Sequence, residues 1–130
     1  IRVATIKHSH HIPAVATADA GAVETLVASA DRFALLHEVA AEPEPGLDAL
    51  VERLAGVDLV LVEGFKFSPH PKLEVWDPAL GKELRAPGDA SVVALACDGA
   101  APVADRPVFA RHDFDGIAAF IAAYCGLADR

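Results

Sequence analysis

Apolar residues arrive along this chain in short blocks, separated by polar, glycine-rich or proline-marked breaks. Residues 2–6 (RVATI) form the first block and give way at once to the polar KHSHH, the pattern of a buried strand opening into a loop. The alanine-rich stretch 12–19 carries no assignable period, and residues 20–23 read as the close of a short helix. Residues 24–29 (ETLVAS) predict a second strand, Asp31 and Arg32 a turn, and residues 33–39 (FALLHEV) a third strand. After the acidic, proline-marked EPEP at 42–45, Leu47, Leu50, Val51 and Leu54 fall at i, i+3, i+4 and i+7, predicting an amphipathic helix that Gly56 ends.

Residues 58–62 (DLVLV) are apolar on successive positions, as in a parallel strand covered by helices on both faces. Residues 72–76 alternate and predict a further strand; 77–89 read as a Gly- and Pro-rich loop. Residues 91–97 (SVVALAC) predict another buried strand, and 107–110 a short edge strand. Asp113 is placed to cap a last helix through Ala123, with Phe114, Ile117, Ala118, Ile121 and Ala122 on one face. Strands alternating with helices predict a single α/β domain over residues 1–130, a doubly wound, mostly parallel sheet.

Composition narrows the function classes. A formal charge of −8 argues against a broad binding face for nucleic acid or for an anionic membrane, although a small phosphate site remains compatible with it. No apolar run approaches the ~18 residues of a bilayer-spanning helix, and no signal-peptide pattern is visible. Cys97 and Cys125 sit in apolar surroundings without metal-ligand spacing, which reads as two buried free thiols in a reducing cytoplasm.

In open parallel sheets, ligands lie beyond the carboxyl ends of the strands. Three such ends are polar here: Lys7-His8-Ser9-His10-His11, Glu63-Gly64-Phe65-Lys66 and Asp98-Gly99. Four apolar residues ending in Glu63 describe a strand of the Walker B type, whose acid orients magnesium or its water shell. Gly64 would admit close approach of backbone and phosphate. The alternative is a buried strand that simply ends in an exposed glutamate. His8, His10 and His11, which His37, His70 and His112 could join, offer a zinc reading without a fourth ligand at a recognisable spacing. The serines lie in no G-x-S-x-G turn, and neither G-x-x-x-x-G-K-[ST] nor G-x-G-x-x-G occurs.

Residues 3–11 (VATIKHSHH), 20–38 (AGAVETLVASADRFALLHE) and 58–75 (DLVLVEGFKFSPHPKLEV) together resemble the MobB family of molybdopterin-guanine dinucleotide biosynthesis adaptors. VEGFK combined with IKH-x-HH is a specific pairing, and the likeness extends over nearly the whole chain. The resemblance implies a P-loop NTPase-like fold that binds GTP with Mg2+, with at most slow hydrolysis. It also implies a homodimer and a partnership with the MobA guanylyltransferase. Carried over by position, Glu63 resembles the Walker B acid holding Mg2+ directly or through water. Lys7, His8, His10, His11, Gly64 and Lys66 match phosphate-side positions, and Asp98 a contact to the base.

Two departures stand out. The family's first strand and G-x-x-x-x-G-K-[ST] loop belong ahead of Ile1, and IPAVATADAG replaces a longer family segment after His11. In the family that first strand lies inside the sheet beside the Walker B strand. A sheet without it would strand backbone groups at about 1–3 kcal/mol each against a total stability of about 5–15 kcal/mol. The expectation is therefore that residues ahead of Ile1, or another chain, supply the strand. Two other readings stay open: an interaction module without nucleotide binding, and a small metal-binding protein using the histidine loop.

Overall fold

The structure, a computed structural model, describes residues 1–9, 11–12, 21–39, 41–100, 102–103 and 105–128. The chain divides into two compact units, one spanning Val3–Phe65 and the other Lys66–Arg130 with Ile1–Arg2.

In the first unit, β1 (Val3–Lys7) and β4 (Leu59–Glu63) pair in parallel, Val3 opposite Leu59 and Lys7 opposite Glu63. A parallel pair needs a long crossover, and this one contains a hairpin and a helix. The hairpin joins β2 (Glu24–Ala28) to β3 (Phe33–His37) in antiparallel register, with Leu26 opposite Leu35 and Ala28 opposite Phe33. Its turn is held by Ser29: the amide of Ser29 donates to the carbonyl of Arg32 at 2.8 Å, and the hydroxyl to the same oxygen at 3.1 Å. Alternation puts Leu26, Ala28, Phe33 and Leu35 on one face. That face is open to solvent, with Leu26 61%, Phe33 73% and Leu35 53% exposed.

The helix α1 (Leu47–Glu52) is shorter than the apolar period over 47–54 predicts. Gly46 at its N-cap offers no side chain, and its last bonds tighten to i→i+3, from Arg53 to Leu50 and from Leu54 to Val51. Residues 21–23, expected to close a helix, are not helical, and residues 13–20 lie outside the described ones.

In the second unit three strands run parallel in the order β5 (Lys72–Val75), β6 (Val92–Ala96), β7 (Val108–Phe109). Central β6 is sealed, as its unbroken apolar run predicts: Leu95 and Ala94 are fully buried, with Val92, Ala96 and Cys97 nearly so. Ala86, Val92 and Leu95 form the core, and Leu84, Val103 and Val108 pack against it. The loop expected over 77–89 contains two 3-10 turns, Pro78–Leu80 and Ala86–Gly88. The closing helix α2 (Phe114–Tyr124) is capped by Asp113, whose carboxylate accepts from the amide of Gly116 at 3.0 Å.

The packed face of α2 differs from the one expected. Phe114 is 70% exposed and Ala118 also faces solvent, while Ile117, Phe120 and Ile121 turn inward. Phe120 decides the rotation, because its ring meets Phe109 at 5.5 Å and Tyr124 at 5.8 Å. Both cysteines are free, but only Cys97 is buried; Cys125, at the C-cap of α2, is exposed, contrary to the expectation of two buried thiols. Among the described residues, no helix is long and apolar enough to cross a membrane.

Candidate functional site

Because β1 and β4 run parallel and in register, their carboxyl ends finish at one edge of the first unit. Lys7 and Glu63 sit level there, ammonium to carboxylate at 3.4 Å. Their side chains are 69% and 73% exposed, so the pair contributes little to stability and both charges remain accessible. The amide of His8 donates to the carbonyl of Glu63 at 2.9 Å, carrying the strand pairing one residue further.

The chain then turns sharply under His8. Gly64 has φ +97° and Phe65 φ +48°, two left-handed residues in succession. A Cβ at Gly64 would stand 2.7 Å from the Cβ of His8, so only glycine lets the two strand tips come this close. His8 is itself fixed, with its ring 5.1 Å from Phe65 and Nε2 2.8 Å from Glu44 of the EPEP loop. Beyond it, the Ser9 hydroxyl donates to the His11 carbonyl at 2.9 Å. His10 lies outside the described residues.

Lys66 and Asp98 belong to the second unit. Asp98 follows β6, and both of its oxygens accept from Arg111: Oδ1 from the amide at 3.0 Å, Oδ2 from Nε at 2.7 Å. Arg111 holds this carboxyl below the usual carboxylate range through those hydrogen bonds. The same guanidinium reaches Asp77 at 2.7 Å, so residues just past the ends of β5, β6 and β7 are tied together. Arg111 thus occupies one acceptor site on each oxygen of the carboxylate that was expected to contact a base. Lys66 places its ammonium 5.1 Å from the centre of the Phe67 ring. Thus Lys7, His8, Glu63 and Gly64 form one cluster, while Lys66 and Asp98 have other partners within their own unit.

Several groups escaped the sequence reading. Glu74 accepts from the amides of Arg85 and Ala86, each at 2.9 Å, so this acid in the middle of a strand holds a turn. Lys72 donates to the carbonyls of Ser68 and His70 and to the Ser91 hydroxyl. Ser91 in turn donates from hydroxyl and amide to Asp89, pulling that carboxyl down to about 2. A charged residue at an alternating strand position was the available signal for Lys72 and Glu74. Nothing local signals that Arg111 would find Asp77, which lies 34 residues away.

Mg2+ is often held by one or two carboxylates, with water and substrate phosphates completing its shell. The exposed Glu63 suits that arrangement, while the missing side chain of Gly64 is taken up by the close approach of His8. Among the described residues, no group of three or more His, Cys, Asp or Glu is placed to hold a metal ion, so a zinc cage is not formed there. An open cavity of about 430 Å³ at the base of the hairpin, bordered by Val23, Glu38 and Glu42, is lined by none of the expected nucleotide-side residues.

The family model for molybdopterin guanine dinucleotide synthesis protein B, MobB, matches residues 1–98, which include β1 through β6 and the polar ends of β1, β4 and β6. This chain belongs to the MobB family. It is 34% identical, over 137 aligned positions, to the molybdopterin-guanine dinucleotide biosynthesis adapter protein of Escherichia coli K12, covering 95% of this chain and 77% of that protein. The Haemophilus influenzae adapter protein is 37% identical over 95 positions, 65% of this chain and 52% of that one. A crystal structure of molybdopterin-guanine biosynthesis protein B superposes with a TM-score of 0.71 at 27% identity, covering 95% of this chain and 80% of that one. The MobB homologue of Bacillus stearothermophilus follows at 0.66 and 25% identity, covering 96% and 78%. The α/β class with mostly parallel pairing, expected as P-loop NTPase-like, is therefore the MobB fold.

Proposed function

We propose that this MobB-family chain acts in molybdopterin-guanine dinucleotide biosynthesis, and so in maturation of the molybdenum cofactor, as a GTP-binding accessory protein. The observation that carries the reading is the pairing of Lys7 and Glu63 at the shared carboxyl edge of β1 and β4, closed beneath by Gly64. Lys7 offers positive charge and hydrogen bonding to phosphate, and Glu63 offers the carboxylate for Mg2+. When bound, Mg2+ neutralises phosphate charge and orients the nucleotide's oxygens. The chain's own residues hold and orient; none is assigned a bond-breaking step, and hydrolysis is at most slow.

The partner in this reading is a MobA-type guanylyltransferase, in the cytoplasm. The open apolar face of the hairpin, with Leu26, Phe33 and Leu35, supports a homodimer.

Titration calorimetry of the full natural protein with GTP tests the reading directly. Binding that strengthens with Mg2+ is expected, and Glu63→Ala should cost at least about tenfold of the Mg2+-dependent affinity, the scale of one lost charge-assisted contact. Absence of GTP binding in the presence of Mg2+ would overturn the proposal. Mg2+-dependent affinity unchanged in Glu63→Ala would remove Glu63 from the site.

A further inference from the structure

Residues 66–71 (KFSPHP) form a loop without a single acidic residue in a protein of formal charge −8. Within it Phe67 is 82% exposed, the most exposed of the large apolar side chains described. Two cations stand at its ring: the Lys66 ammonium at 5.1 Å and, at 5.4 Å from the centre, the Arg85 guanidinium, which is itself paired with Asp89 at 3.3 Å.

The loop is held from within rather than left slack. Arg85 donates to the carbonyl of Lys66 at 3.3 Å. Lys72 donates to the carbonyls of Ser68 and His70, and its ammonium is anchored on the Ser91 hydroxyl at 2.6 Å. Alternate carbonyls at 66, 68 and 70 are thus gripped by cations from β5 and from the residue before the second 3-10 turn, while Pro69 and Pro71 fix φ on either side of His70. A loop so ordered presents Phe67 in one place and loses little entropy on docking.

We infer that Phe67, flanked by Lys66 and Arg85, is a docking anchor for a partner protein whose surface has an apolar pocket ringed by carboxylates. Aromatic and arginine side chains are the residues that dominate protein–protein interfaces. Charge complementarity sets the partner's sign, because this basic loop stands out on an acidic molecule. A small planar ligand is disfavoured, since it would remain mostly in water on a ring this open, whereas small-molecule sites enclose most of their ligand. A nucleic acid or lipid surface calls for a wider cationic face than the chain's charge provides. The inference deepens the proposed function, resting on the reading that the chain serves a guanylyltransferase, and it names the surface that enzyme grips.

Calorimetry between the full natural protein and the guanylyltransferase of the same organism tests it. Phe67→Ala should weaken that complex by about thirtyfold or more, while GTP affinity and thermal unfolding stay unchanged; Phe67→Tyr should restore most of the loss. Lys66→Glu should weaken the complex and flatten its dependence on salt. If the wild-type proteins bind and the Phe67→Ala and Lys66→Glu variants bind equally well, the anchor is wrong while the partner reading stands. If the wild-type proteins do not bind, the partner reading fails and takes the anchor with it. Phe67-dependent sedimentation with phosphatidylserine vesicles would also overturn the assignment to a protein partner.

Discussion

Gly64 shows how one missing side chain can shape a rim. Its φ of +97° and the 2.7 Å that a Cβ would leave to His8 are separate demands, and alanine meets neither. Gly64→Ala should lower stability by about 1–3 kcal/mol. It should also separate the tips of β1 and β4. Chemical denaturation reads the first effect, and the amide proton shift of His8 the second, since that amide bonds Glu63.

Asp89 yields a residue-scale prediction of a different kind. Its carboxyl is pulled from 3.8 to about 2, chiefly by the Ser91 hydroxyl and amide, with Arg85 adding to the effect. A carboxyl depressed in the folded state adds stability above its ordinary value and loses it as pH falls through the folded value. Asp89 therefore supports the fold at neutral pH and ceases to do so between about pH 4 and pH 2. Ser91→Ala removes the hydroxyl donor and an anchor of Lys72. Its expected result is an Asp89 carboxyl titrating at higher pH by NMR, with acid unfolding beginning at higher pH by circular dichroism.

At the scale of elements, the strands were the legible part. Although β1 and β4, expected to be buried, leave Val3, Leu61 and Val62 exposed, the unbroken apolar runs of β4 and β6 and the turn residues after β2 announced themselves by pattern. Helix length and helix rotation did not. The period through Leu54 overlooked the last turn, which closes with i→i+3 bonds from Arg53 and Leu54, and Phe114 was placed inward because periodicity ignores where a ring finds its partner. The candidate rim was half legible. A polar end after an apolar run located Lys7 and Glu63, yet Asp98 met the same criterion and is engaged by Arg111, through a tertiary contact with no sequence signature.

The hairpin carries its own prediction. A two-stranded ribbon is marginal alone, and the face holding Leu26, Phe33 and Leu35 lies open within this unit. If that face joins two copies, Leu35→Glu should convert a dimer into a monomer by sedimentation velocity. A variant that stays dimeric would place the interface elsewhere.

Across the whole molecule, burial is uneven. Among the described residues, the tightly sealed side chains lie mainly on β6 and in the residues around it, and Leu95 is the largest fully enclosed one. Leu95→Ala should cost about 2–5 kcal/mol, enough to threaten a domain of ordinary stability. Leu26→Ala, on an exposed position, should change the stability of the isolated chain far less.

The unequal placement of the two thiols has a practical consequence. Cys125 meets water at the end of α2, while Cys97 is 3% exposed at the end of β6. A maleimide dye should attach at the first position in the native protein and at the second only after the sheet around β6 opens. The native chain thus offers a single labelling point for fluorescence, and the delayed second modification times its unfolding without any engineered residue.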